Sequence, residues 1–190
     1  FSDLMHNTKA DEGMDYDAFL VSSAWGLDCE WKPGFECGID NPVATLQLSS
    51  QRRAFLLDVQ SLCQPLHNED KDLQNVQPTE IELELSRVLG KLFLNSDIPL
   101  LGFGILQDLG KLAASFPNLQ TFSEYHSVID LQSLSTVAFP KRDRSTMSSL
   151  QKMCAVLLHK RMDKMQQCSD WTKRPLSDQQ LDYATLDAAV

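Results

Sequence analysis

No apolar run in these 190 residues approaches the ~18–20 that a membrane-spanning helix requires, and the longest candidates are broken by charge. The N-terminus has no basic patch followed by an apolar stretch, so no secretory signal is expected. Cysteine is sparse: Cys29, Cys37, Cys63, Cys154 and Cys168 are an odd five with no Cys-x-x-Cys. That argues against a disulfide framework and for an intracellular setting, cytoplasmic or nuclear. A zinc site from Cys154, His159 and Cys168 fits no standard ligand spacing. Gly102-x-Gly104 lacks the third glycine of a dinucleotide fingerprint, so no nucleotide cofactor is expected and the two glycines are read as room for substrate. Internal repeats and low-complexity segments are missing. The sequence opens on Phe1 rather than Met, which points to a segment of a longer protein.

What is present suits one globular domain with a full core: 43% hydrophobic and 23% charged residues. The net charge of −9 at first argues against a nucleic-acid partner. Its distribution argues the other way. Residues 141–174 carry nine Lys/Arg against three acids, a local +6 on an acidic chain, and a segment of opposite sign can be the footprint of a polyanion.

Residues 1–15 read as a loosely ordered N-terminal segment, and 16–190 as the domain. Strand-like runs lie at 24–31, 43–48 and 53–59, separated by turn signals, with a loop over 63–78. Thr79 and Glu82 form a capping box, and Ile81, Leu85, Val88, Leu89 and Leu92 mark the inner face of the helix that follows. A strand over 98–103 leads to a helix over 107–115. Val128-Ile129 forms a short strand running into a helix over 131–138. A basic loop over 140–145 precedes a helix from Ser148 to Lys160, with Leu150, Met153, Cys154, Leu157 and Leu158 facing inward. Ser177 and Gln180 cap a last helix that the chain end truncates at Val190. Strands first, then strands interleaved with helices, imply an α/β sheet covered by helices.

Two carboxylates two residues apart, Asp28 and Glu30, lie on one face of a strand that otherwise reads as buried. Like charges there repel, and each is costly to desolvate, so a bound cation is the natural reason for them. Asp108 falls near a helix start at the carboxyl end of a strand, where ligands gather in open α/β sheets. Tyr183 and Asp187 are i and i+4 on the last helix and share a face. Four carboxylates suit two divalent ions roughly 3.5–4 Å apart, with the tyrosine hydroxyl able to orient a water. Lys173, Arg174, Arg142 and Arg144 are candidate phosphate contacts. Trp171 reads as a packing residue and Cys29 as core.

The runs Gly26-Leu27-Asp28-Cys29-Glu30-Trp31, Gly102-Phe103-Gly104 through Asp108-Leu109, and Leu181-Asp182-Tyr183-Ala184-Thr185-Leu186-Asp187-Ala188 resemble the three motifs of the DEDD exonuclease superfamily. The tyrosine places the resemblance in the DEDDy branch, beside RNase D and the Werner-syndrome exonuclease. Asp28-Cys29-Glu30-Trp31-Lys32-Pro33 with Asp163-Lys164-Met165-Gln166-Gln167 is most similar to the Nibbler-type exonuclease 3′–5′ domain-containing proteins. The resemblance implies an RNase H-like mixed sheet of about five strands, order 3-2-1-4-5 with strand 2 antiparallel, flanked by helices. It implies Asp28, Glu30, Asp108 and Asp187 as ligands of two divalent ions, Mg2+ or Mn2+, and Tyr183 as the water-positioning residue. The activity implied is a two-metal 3′–5′ exonuclease that releases nucleoside 5′-monophosphates. The partner implied is the 3′ end of a single strand, RNA for preference, bound by a monomer with no membrane. A DNA-directed enzyme of the Werner type and a catalytically weak nucleic-acid-binding module stay open as alternatives.

Overall fold

The computed structural model describes residues 24–34, 41–63, 77–139 and 148–190. The N-terminal segment 1–15, the basic loop 140–145 and most of the loop 63–78 lie outside these residues. Among the described residues no helix is long and apolar enough to cross a membrane.

Five strands form one sheet: β1 (Trp25–Trp31), β2 (Val43–Ser49), β3 (Ala54–Leu57), β4 (Leu100–Gly102) and β5 (Val128–Asp130). Their order is β3-β2-β1-β4-β5, with β2 antiparallel to both neighbours and β1, β4 and β5 parallel. This is the order and the antiparallel second strand that the motifs implied. Among the described residues six α-helices accompany the sheet: α1 (Val59–Leu62), α2 (Glu80–Phe93), α3 (Ile105–Ser115), α4 (Leu131–Ala138), α5 (Leu150–Leu157) and α6 (Asp178–Ala189).

Alternation along β1 and β2 sorts the two faces. Trp25, Leu27 and Cys29, with Val43, Leu46 and Leu48, join the main core. That core also holds Leu89, Leu92 and Phe93 of α2 and Ile105, Leu109 and Leu112 of α3. The other face carries Gly26, Asp28 and Glu30, paired with Ser49, Gln47 and Thr45. A shift in register between Glu30 and Trp31 leaves Ala44 as the extra residue of β2. Ala44 turns to the second face, where it packs with Trp171, Tyr183 and Ala184. β2 is therefore buried along its whole length between two helical layers.

Both capping boxes form. Thr79 N–H donates to Glu82 Oε2 at 2.7 Å, and Ser177 N–H to Gln180 Oε1 at 3.0 Å. Four local expectations change. β3 stops at Leu57 rather than Val59, because the Asp58 carboxylate accepts from Ser61 N–H and opens α1. Ile81 is exposed; Glu82, folded back onto Thr79, is buried in its stead, and the apolar face of α2 runs through Leu89, Leu92 and Phe93. α3 begins two residues early, at Ile105, because Gly104 takes a left-handed conformation (φ 78°) and starts the helix. α5 ends at Leu157, and both Leu157 and Leu158 are half exposed, since the chain turns at His159 (φ 55°); Met153 and Cys154 carry the inner face.

Candidate active site

Three elements bring the acidic residues together. β1 presents Asp28 and Glu30 side by side, α6 delivers Asp187 onto the same face, and the first turn of α3 presents Asp108. One ligating oxygen each from Asp28, Glu30 and Asp187 lies within 4.8 Å of the others. Among the described residues no other group of three or more metal-ligating side chains comes together. Asp108 stands outside this triplet but lines the same cavity, of about 410 Å3, together with Asp28, Glu30, Tyr183 and Asp187.

The placement of Asp108 depends on the turn before it. Asp130, at the end of β5, accepts from Gly104 N–H and Gln132 N–H, both at 2.9 Å, and pins the turn that launches α3. Gly104 lines the cavity, whereas Gly102 serves close packing. A Cβ on Gly102 would lie 2.7 Å from the Leu27 carbonyl oxygen and 2.9 Å from Ile105 Cβ.

The cluster resists ionisation. Burial pushes the Asp28 carboxyl up to about 7, with Asp187 adding to the effect. Burial and then repulsion from Asp28, Asp187 and Asp108 take Glu30 to about 10. Asp108 is raised to about 8 by burial, Asp28 and Asp130. Asp187 is raised by burial, but the Tyr183 hydroxyl and the Lys164 ammonium pull it back. Tyr183 is buried against Trp171, ring centroids 6.0 Å apart. Burial, with its hydrogen bond to Asp187 next, holds the phenol far above its usual range. It is a neutral hydroxyl, able to orient a group and unable to serve as a base.

Among the described residues Lys164 is the only Lys or Arg lining the cavity. Sequence reading placed it in the basic segment without assigning it to the site; the local excess of positive charge was the signal. Phe103, Gln107 and Cys168 also line the cavity. The other basic candidates fare differently. Arg142 and Arg144 lie outside the described residues. Lys173 is exposed and does not line the cavity.

Arg174, a candidate phosphate contact, is occupied elsewhere. Its guanidinium grips Asp58 through Nε (2.6 Å) and Nη2, and donates from Nη1 to the carbonyls of Trp171 (2.7 Å) and Lys173 (2.8 Å). With the Lys32–Asp170 pair at 3.0 Å, this clamps the segment before α6 to the sheet. Trp171, fully buried, fills the space beneath, as expected of a packing residue. Arg174→Lys, which cannot form the bidentate fork, should therefore cost on the order of 1 kcal/mol of stability and leave the oligonucleotide KM unchanged. Thermal melts and initial rates test this; a raised KM at unchanged melting temperature would restore the phosphate role.

The donor set at the centre is anionic, all oxygen, and offset by one lysine. That chemistry fits hard divalent ions such as Mg2+ or Mn2+, and Asp28, Glu30 and Asp187 are the side chains that converge most tightly.

Comparison with known proteins agrees with the fold and the motifs. The human exonuclease mut-7 homolog is 32% identical over 171 residues, covering 86% of this chain and 18% of that protein. The Aedes aegypti homolog is 28% identical over 172 residues, covering 85% of this chain and 21% of that protein. The chain thus spans about a fifth of the length of these relatives. Among solved structures, the Aedes aegypti Nibbler EXO domain superposes with a TM-score of 0.67 at 26% identity, over 91% of this chain and 78% of that one. Escherichia coli RNase D shares the fold, with a TM-score of 0.63 at 20% identity over 92% of this chain and 38% of its own. A family model described as 3′-5′ exonuclease matches residues 18–190. With nearly the whole chain matched and the acidic motifs gathered at one cavity, this protein belongs to the 3′–5′ exonuclease family.

Proposed function

We propose that the domain removes nucleotides one at a time from the 3′ end of single-stranded nucleic acid, RNA in preference to DNA, with two divalent ions at the acidic cluster. The observation that carries this is the convergence of Asp28, Glu30 and Asp187 at a cavity large enough for a small organic group. Asp28, Glu30 and Asp187, with Asp108 across the cavity, would hold the ions. When bound, such ions polarise the phosphodiester and make water nucleophilic at neutral pH. In the overall reaction water adds to phosphorus and the bond to the 3′ oxygen of the preceding nucleotide breaks. The shortened strand keeps a 3′ hydroxyl, and the terminal nucleotide leaves as its 5′-monophosphate.

The chain's own groups divide the remaining work. Tyr183, kept protonated and tethered to Asp187, orients the attacking water. Lys164 places a positive charge on the wall of a strongly acidic cavity, where an incoming phosphate needs it. RNA preference is supported by the motif resemblance to the Nibbler-type proteins, which trim small RNAs.

Tyr183→Phe keeps the ring packed on Trp171 and removes only the hydroxyl. It should lower kcat on the order of a hundredfold without weakening Mn2+ binding; rates and metal titrations on the pure variant check both. Matched 5′-labelled RNA and DNA oligonucleotides test the whole reading. A one-nucleotide ladder from the 3′ end, faster on RNA, is expected. Internal cleavage, or shortening confined to DNA, would overturn it.

A further inference from the structure

We infer that Ser49 is a positioning residue: it seats α6 on the sheet at Ala188 and so sets Asp187 against Asp28 and Glu30. The inference rests on the metal-dependent reading above. Ser49 is the last residue of β2 and is buried. Its hydroxyl donates to the carbonyl of Ala188, the residue after Asp187. A carbonyl oxygen has two lone pairs, so this one can accept from the sheet whether or not it also accepts within the helix.

Gly26 stands directly opposite Ser49 in the β1–β2 ladder. A Cβ there would fall 1.9 Å from the Ala188 oxygen and 2.8 Å from Ser49 Oγ. A missing side chain on β1 and a hydroxyl on β2 together form a seat for one carbonyl. The seat is close to the cluster it serves. Gly26 and Asp28 are two residues apart on one face of one strand, roughly 6.6 Å along it. Ala188 and Asp187 are adjacent on the helix. Linkages this short leave little slack for α6 to slip while Asp187 stays in place.

Like charge supplies the force that the seat opposes. Asp187 faces Asp28 and Glu30, with one carboxylate oxygen of each within 4.8 Å of the others, so like charges are crowded there. The seat therefore matters most before cations bind, and its loss should appear as weakened metal affinity.

Calorimetric titration of Mn2+ into the wild type, Ser49→Ala, Ser49→Cys, Ser49→Thr and Leu56→Ala tests this, with melting curves run alongside. Ser49→Ala should bind Mn2+ about three- to tenfold more weakly, the factor one neutral hydrogen bond supplies. The Mn2+ concentration for half-maximal activity should rise by the same factor, with the oligonucleotide KM unchanged. Ser49→Cys, a near-isosteric weak donor that guards against misfolding of the alanine variant, should fall between. Ser49→Thr keeps the hydroxyl and should restore affinity. Leu56 packs on the Trp171–Tyr183 cluster under the same helix, and Leu56→Ala should lower the melting temperature without changing Mn2+ affinity. If Ser49→Ala and Ser49→Cys bind Mn2+ like the wild type, the positioning role is wrong, whatever their melting temperatures. A wild type that binds no Mn2+ removes the metal reading and this inference together.

Discussion

Asp28→Asn should abolish strand shortening and, at pH 8, raise the melting temperature of the metal-free protein. The two effects have one cause. Asp28 sits on a core strand with its pKa pushed up to about 7 by burial and by Asp187. Above that pH the folded chain holds a charge that water would solvate better. Asparagine keeps the shape and removes the charge, so the metal-free fold gains. The gain should be on the order of 5 °C at pH 8 and near zero at pH 5, where Asp28 is already protonated. Activity moves the other way. Losing one anionic ligand removes several kcal/mol of cation-dependent stabilisation of the transition state, on the order of a thousandfold in rate. A residue conserving only the fold would show loss of both stability and activity. Melts at two pH values and a rate assay separate the cases; a variant that is both active and no more stable at pH 8 contradicts the assigned role.

The second large effect is a pH-dependent stability that metal reverses. Asp28, Glu30, Asp108 and Asp187 all have folded-state pKa values above those of free carboxyls. The folded chain therefore binds more protons than the unfolded one between roughly pH 4 and 10, and unfolding free energy falls as pH rises across that window. The contribution is fully present below pH 4 and is lost in steps as Asp28 near 7, Asp108 near 8 and Glu30 near 10 ionise. Asp58, lowered despite burial by Arg174 and Ser61, acts with the opposite sign and loses its contribution only as the pH drops through its folded value. The metal-free protein should thus melt lower at pH 9 than at pH 5. Saturating Mn2+ should raise the pH 9 melting temperature more than the pH 5 one, because binding requires the ionised carboxylates. A metal-free melting temperature that is flat or rises from pH 5 to 9 would count against carboxylates crowded at one cavity.

Much of the sheet was legible because local rules and tertiary demands agree there. β1 alternates from Trp25 to Cys29, the two capping boxes form where Thr79 and Ser177 announce them, and Asp28 with Glu30 stands out as charge in a strand of the core. The misread places are those where a side chain serves the backbone. Asp58 ended a strand to cap a helix, and Glu82 displaced Ile81 from the inner face by folding back on the cap. Gly102 was taken as space for a ligand, yet its neighbours are the Leu27 carbonyl and Ile105. At the site, residue types and helical spacing identified Tyr183 and Asp187, but no sequence rule tells which lysine of a basic segment turns inward. Lys164 reaches the cavity, whereas Arg174, ten positions further along the same segment, is held by Asp58. The seat built by Gly26 and Ser49 was equally hidden, because it depends on a strand pairing and a helix end separated by 139 positions along the chain.

The most direct measurement is shortening of a 5′-labelled single-stranded RNA by the wild type and by Asp187→Asn, each with Mn2+ alone and with excess EDTA. Stepwise loss from the 3′ end is expected only for the wild type with Mn2+, and both the chelator and the substitution should stop it. Shortening that survives EDTA, or that Asp187→Asn performs at the wild-type rate, would mean that the convergence of Asp28, Glu30 and Asp187 is not where this chain does its chemistry.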